Sequence, residues 1–471
     1  MISSTSTSTT TTEGAQAPHA IIIGAGIAGC SLALFLKRAG ITSTIYEAYP
    51  REHASQGTGG GLQIAPNGMH VLHHLGLADA LKACGWVSPA YAFHNQYGKR
   101  LAVLPTDPHQ PAVFVARAAL HEVLVGAVKQ EGINIEFGKR LVDLSGFRDD
   151  DDYGQNDGRV TATFDDGSSA SGDLVVGADG VHSRTRAIVL GDEDPKPQFL
   201  GLMYATGFVE TDEPVPEDTA NILCGQTGGT LGYTRIRGDN PRLALWWRNM
   251  NVRDWWPEGA AVPTRDELYA IDIDELKARV LNMPGGWSPL AQRLVADTRH
   301  IVRGAVHDLP PLPRWYQGRA VLVGDAAHAV SPHSAQGACM ALEDAMYLAK
   351  VLRLAMATTT TATGTSTRGL FPAAFRAYQN GRKARVEAVA VGGRQRGEPR
   401  PVQEGEQPAG SIQQWIKEAM LVVIFNFVVP PALQTTFSYR LEWDDCDSLD
   451  GVTEAQKISS SWSWPWWNSA Q

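Results

Sequence analysis

Gly24, Gly26, Gly29 and Glu47 are the residues from which chemistry can first be argued, in the stretch AIIIGAGIAGCSLALFLKRAGITSTIYE from Ala20 to Glu47. In a G-x-G-x-x-G turn the first glycine permits the tight turn, the second lets backbone approach a pyrophosphate, and the third lets helix and strand pack closely. The helix that follows offers phosphate its unpaired N–H groups and the positive end of its dipole. An acid at the end of the next strand, here Glu47, is placed for a ribose hydroxyl. The chain has 47 glycines, so the spacing alone is weak. The strand before, the helix after and the acid beyond make it a dinucleotide site rather than a structural glycine-rich turn.

Two later stretches repeat the strand–Gly/Asp–helix pattern. In DLVVGADGVHSRTR a buried strand (Leu174 to Val176) runs into Gly177, Asp179 and Gly180, and a helix start carries Arg184 and Arg186. In GRAVLVGDAAHAVSPHSAQGACMALEDAMYLAKVLRLA a strand (Ala320 to Val323) ends in Gly324–Asp325, and a long helix opens near Gly337 after a loop around Pro332. The elements between them must bring these pieces together. A Gly57–Gly61 loop leads into a helix carrying His70, His73 and His74, then a hairpin turns at Gly98. The three histidines lack an accompanying acid nearby, so solvated helix histidines are expected rather than a metal site. Arg117 stands where a strand becomes an amphipathic helix, as a surface charge or as a buried or phosphate-binding arginine. From Gly201 to about Met283, aromatic and β-branched segments read as antiparallel strands, followed by the helical DELYAIDIDELKARVLNM.

Composition narrows the class. A net charge of −9 excludes the basic face of a nucleic-acid binder. The five cysteines (Cys30, Cys84, Cys224, Cys339, Cys446) are scattered without a C-x-x-C pair, which favours a reduced, cytoplasmic setting. The N-terminal Ser/Thr run has no signal-peptide pattern. The longest apolar run, Ala419 to Leu433, contains Asn426 and two prolines and is too short to span a bilayer. A buried core helix is the expectation there, with weak association to a membrane surface as its alternative.

The three motifs together resemble the group A flavoprotein monooxygenases, the aromatic hydroxylases and related epoxidases, from about Pro18 to Val391. The resemblance implies that the first motif holds the ADP half of FAD. It likens Asp179–Gly180 with Arg184 and Arg186 to a motif associated with FAD and the pyridine nucleotide. It gives Asp325 to the ribityl chain, and Gly337 and Ala338 to the flavin's pyrimidine edge through backbone N–H groups. N–H dipoles there stabilise the negative charge of the reduced form. Arg117 and Gly60–Gly61 should line the same site. Family members often carry Asn where this chain has Cys339, which leaves backbone contacts to do that work.

The implied fold is α/β: a Rossmann-like FAD-binding domain, a β-sheet substrate domain and a C-terminal helical segment. The expected division is a disordered tail (1–17), FAD-binding parts (18–90, 111–200, 301–391), a substrate-domain hairpin (91–110), a substrate domain (201–300), a linker (392–410) and a C-terminal helix with a Trp-rich tail (411–471). The implied activity uses FAD, NAD(P)H and O2 to oxygenate a small aromatic substrate. Tyr204, Tyr233, Trp246 and Trp247 are candidate substrate residues, each with core packing as its alternative, and Arg235, Arg237 and Arg248 are candidates for a substrate carboxylate. The chain looks similar to fungal secondary-metabolite enzymes of alkaloid biosynthesis, which suggests indole 2,3-epoxidation with rearrangement to a spiro-oxindole. The rivals are a flavin-dependent halogenase, whose W-x-W-x-I-P signature is absent, and a non-catalytic flavin- or NAD-binding regulatory protein.

Overall fold

The computed structural model describes residues 17–54, 59–148, 159–225, 229–251, 262–361, 369–397, 411–428 and 435–444. The Ser/Thr tail and the Trp-rich tail lie outside them.

The strand His19–Ile23 is central to a six-stranded sheet. It pairs in parallel with Thr42–Glu47 on one side and Leu174–Gly177 on the other, and Leu174–Gly177 pairs in parallel with Ala320–Leu322. Ile21, Ile22, Val175, Val176, Val321 and Leu322 are fully buried, which explains why these strands read as continuous apolar runs rather than alternating ones. The helix Ile27–Arg38 packs along Gly337–Thr361, and its one-sided polarity is slight because residues 28–36 are all buried. This layering requires three pieces of chain, separated by long insertions, to meet at one sheet.

A seven-stranded sheet forms the second body, in the order Ile301–Asp308, Gln198–Glu210, Leu243–Asn251, Thr230–Arg235, Thr219–Cys224, Ala90–Asn95, Arg100–Pro105. The hairpin turning at Gly98 (φ +90°) joins this sheet, as expected, but Ala90–Asn95 pairs in parallel with Thr219–Cys224. The helical stretch after it is two helices, Arg265–Ala270 and Ile273–Leu281. The break has a local cause: Asp272 Oδ1 accepts hydrogen bonds from the N–H groups of Asp274 and Glu275 and so caps a new helix.

Two C-terminal expectations change. The helix Leu370–Gly397 runs on into the segment expected as a linker. As far as it is described, to residue 428, the apolar run is not a buried core helix, and residues 429–433 lie outside the described residues. It begins within Ser411–Val423 and continues as a π-helical turn, Ile424–Val428, and Ile416, Met420, Val423 and Phe427 are 46–74% exposed. Phe425 is its anchor, stacked on Phe93 with ring centroids 4.1 Å apart. Among the described residues no helix is long and apolar enough to cross a membrane.

Candidate active site

The three motifs touch. A Cβ on Gly24 (φ +104°) would lie 2.5 Å from the carbonyl oxygen of Ala178, in the second motif. One on Gly29 would overlap the Gly24 carbonyl. One on Gly324 would lie 3.1 Å from Cβ of Ala28, in the first helix. Arg186 Nη1 reaches from the second motif to the Ala326 carbonyl of the third at 3.3 Å. Gly24 and Gly29 are therefore glycines because protein backbone occupies the space.

Gly26 is different. Its φ of −73° suits any residue, and a Cβ there meets nothing within 4 Å. Gly180 likewise faces open space, and Gly337 has only Val330, at 3.8 Å. Asp325, half-buried at the head of a short helix, has no hydrogen bond or ion pair to its carboxylate among the described residues. A bare glycine at each motif and an unpaired carboxylate are what a long, polar, phosphate-bearing cofactor such as FAD requires of its protein. The residues present fit that group.

The surrounding residues hold this cradle still. Glu47 Oε2 accepts the Ala25 N–H at 2.8 Å and Oε1 the Tyr49 N–H at 2.9 Å, so the expected ribose acid also grips the glycine loop. His121, one helical turn after Arg117, binds the Ala25 carbonyl oxygen through Nε2 at 2.8 Å. Its spacing of four from Arg117 was the only sequence signal for it. Arg117 itself is exposed, beside Gly59. Gly60 and Gly61 pack against the second sheet, where Cβ atoms would overlap Thr206 and Leu245.

Other motif residues have protein partners. Asp179 accepts from Thr185 N–H (2.9 Å), Thr185 Oγ1 and Ser183 Oγ at the start of the helix Arg184–Leu190, whose N-cap Ser183 accepts the Arg186 N–H. Burial pushes its carboxyl above the ordinary aspartate value against those hydrogen bonds. Arg186 is buried in an ion pair with Asp194 at 2.7 Å, and Arg184 donates from the surface to the Val142 carbonyl. The Cys339 thiol, pushed up to about 12 by burial, accepts the Ala65 N–H at 3.4 Å.

Behind the third motif lies a buried charge network that sequence reasoning missed. Asp344 Oδ2 accepts from Gly324 N–H (3.0 Å) and contacts His328 Nε2 (2.5 Å), while Oδ1 takes Arg382 Nε (2.8 Å). Its neighbour Glu343 pairs with Arg385 and Arg382 and accepts from Asn67 Nδ2 (2.8 Å). Desolvation would raise both acids, but the His328 and arginine charges win, holding Asp344 down to about 2 and Glu343 below its usual value. The network fixes the turn at Gly324 and the head of the long helix relative to each other.

The two faces of the second sheet sort the substrate candidates. Trp246 is buried on the face covered by helices, where Nε1 donates to Thr298 Oγ1 at 2.7 Å, and Tyr233 shares that core. Both act in packing. Arg248 also points there, donating to the carbonyls of Val280 and Asn282, and Arg235 donates to the Glu213 carbonyl. Arg237 is exposed and paired with Asp239. The opposite face, against Gly60 and Gly61, carries Thr206, Tyr204, Asn249 and Trp247, as the alternation of the paired strands requires. Trp247 lies over Gly232 and stacks on Phe114 at 5.9 Å, and it stays half-buried. Asn249 bonds His333, from the loop after the third motif, at 3.0 Å.

A glycine-lined cradle with an unpaired acid suits a dinucleotide cofactor, and comparison with known proteins says which class of enzyme holds it. The FAD binding domain family matches residues 18–389, and the chain belongs to that family. A FAD-dependent urate hydroxylase of Klebsiella pneumoniae is 33% identical over 80% of this chain and 89% of its own length. A 6-hydroxynicotinate 3-monooxygenase of Bordetella bronchiseptica is 31% identical over 79% of this chain and 89% of its own. An aurachin C monooxygenase/isomerase of Stigmatella aurantiaca is 31% identical over 71% and 80%. The crystal structure of Klebsiella pneumoniae HpxO with FAD and uric acid superposes with a TM-score of 0.70 at 28% identity, covering 89% of this chain and 97% of that one. The protein is a FAD-dependent monooxygenase of the aromatic-hydroxylase fold. The halogenase and regulatory readings have no counterpart among these relatives.

Proposed function

We propose that this enzyme uses NAD(P)H and O2 to hydroxylate or epoxidise a flat, electron-rich aromatic small molecule held against Trp247 and Tyr204. FAD, held by Gly26, Glu47, Asp325 and the N–H groups at Gly337 and Ala338, would supply the electrons and activate the oxygen. The observation that carries the reading is the facing of the Gly60–Gly61 loop by the surface of the second sheet that bears Tyr204 and Trp247. Trp247 is fixed by Phe114 on one side and offers its half-buried ring to a planar ligand. The Asn249–His333 contact ties that surface to the loop of Asp325, so substrate and cofactor positions move together. The apolar residues of this face exclude water from the reacting atoms.

The finer form of the proposal is indole 2,3-epoxidation with rearrangement to a spiro-oxindole. It is supported by the planar Trp247 surface and by a relative whose name joins a monooxygenase to an isomerase. The test is a product screen by mass across aromatic and indole compounds, with NADPH and O2 consumption followed together. A gain of one oxygen with coupled NADPH loss is expected. A flavin-loaded protein that consumes neither with any electron-rich aromatic overturns the proposal. The exposed apolar residues of 416–427 support weak attachment of this cytoplasmic enzyme to a membrane surface, testable by flotation with lipid vesicles.

A further inference from the structure

His70 and His74 lie one helical turn apart on Pro66–Leu75, and the acid that the sequence did not supply nearby arrives from the other end of the chain. Glu442 Oε1 is 3.3 Å from His70 Nε2, and Oε2 is 3.3 Å from His74 Nε2. The two Nε2 atoms are 3.3 Å apart, with their rings at 85°. Only His73 is the solvated histidine expected for all three. We propose that His70, His74 and Glu442 bind a divalent metal ion of the zinc class in tetrahedral geometry.

The distances carry the argument. Ligand atoms about 2.0–2.1 Å from a tetrahedral zinc are about 3.3–3.4 Å from one another. Direct N–H···O hydrogen bonds are shorter, at about 2.9 Å, and a carboxylate bonded to one imidazole would lean toward it. Here each carboxylate oxygen stands 3.3 Å from one imidazole nitrogen, so the acid straddles the two rings and a small rotation brings one oxygen to both. Two neutral imidazole nitrogens and one carboxylate are a borderline-soft donor set that suits zinc.

The surroundings fit as well. Gln110 Nε2 lies 3.2 Å from His70 Nδ1, and Gln110 Oε1 is buried with no hydrogen-bond partner. Amide oxygen and nitrogen are interchangeable in such an assignment. With the oxygen toward the ring, Gln110 accepts the Nδ1–H and presents a bare Nε2, the outer-shell arrangement of metal-bound histidine. Without metal, His70 Nε2–H donates to the Leu441 carbonyl at 3.0 Å; an ion about 2.0–2.1 Å from Nε2 displaces that proton and needs the carbonyl to turn aside.

The segment that carries Glu442 buries Tyr439, Leu441 and Trp443 against the core, leaving Glu442 on its outer side with 55% of its side chain exposed. A fourth position is thus open to solvent. The ion would clip this segment to the helix whose Asn67 holds Gln336 and Glu343 at the head of the long helix.

The test uses the full-length, untagged flavoprotein, stripped with a chelator and titrated with zinc chloride. One zinc per chain is expected by metal analysis, and zinc should protect the Arg440–Leu441 bond from trypsin. Glu442→Gln and His74→Ala change exposed or partly exposed side chains. They should keep their FAD and their metal-free melting temperature but lose both the zinc and the protection. Gln110→Ala should weaken zinc binding by about 10–100-fold. Wild type that binds no more zinc than Glu442→Gln, or that binds it without protecting Arg440, overturns the proposal.

Discussion

Replacing Gly26 by alanine separates cofactor recognition from folding. At φ −73° an alanine is unstrained, and its Cβ meets no protein atom within 4 Å. The stiffer unfolded chain contributes about 0.4–1 kcal/mol of stability. Gly26 also caps the helix Ile27–Arg38, where alanine is poorer by about 0.5–1 kcal/mol. These offset, so the apoprotein should melt within about 1 kcal/mol of wild type. The added methyl enters the open space above the turn, where a pyrophosphate must approach backbone. FAD affinity should fall about 100-fold, or about 2.7 kcal/mol. Gly29→Ala is the control, because its Cβ overlaps the Gly24 carbonyl and overpacking costs about 1–3 kcal/mol before any ligand is added. The assay is titration of stripped apoprotein with FAD by fluorescence quenching, beside thermal melts. Gly26→Ala protein that binds FAD as tightly as wild type would refute the placing of the cofactor over this turn.

Asp325→Ala should fold normally and lose bound flavin on gel filtration, read as the 450 nm absorbance per chain, because no group among the described residues bonds that carboxylate. Arg382→Met leaves Glu343 and Asp344 buried without one of their cations and should cost about 3–5 kcal/mol in denaturant unfolding. Asp344 is lower folded than unfolded, so its stabilisation is complete above about pH 4 and disappears as pH falls through about 2. Denaturant midpoints across that window should show a loss of about 2 kcal/mol that Asp344→Asn abolishes. Trp246→Phe should lose about 1 kcal/mol of stability with its Thr298 hydrogen bond and keep KM, whereas Trp247→Phe should keep Tm and raise KM. An equal effect of both on KM would mean the two faces are wrongly assigned.

What the sequence made legible was local. The glycine spacing, the apolar strands and the acid at Glu47 each follow from nearby backbone, and the three motifs do meet. Distant partners left no local trace. Nothing near Arg382 and Arg385 in the sequence marks them as the partners of Glu343 and Asp344. Glu442 could not be joined to His70 and His74 without the fold. Adjacent Trp246 and Trp247 had to face opposite ways in a strand, but which way depends on where the helices of 265–296 cover the sheet. The solvent face of 416–427 was misread because apolar composition does not say what packs against it.

The order of strands in the first sheet sets a timetable for synthesis. His19–Ile23 leaves the ribosome early, but its neighbour Leu174–Gly177 follows about 150 residues later and Ala320–Leu322 about 300 residues later. At about 5–20 residues per second, the nascent chain holds an unpaired apolar strand edge for about 8–30 s, and the nucleotide cradle is incomplete for about 15–60 s. N-terminal fragments of this enzyme therefore present Ile21–Ile23 as a sticky template rather than a preformed flavin site. Until the middle third of the chain arrives, that edge is shielded by nothing the protein itself supplies.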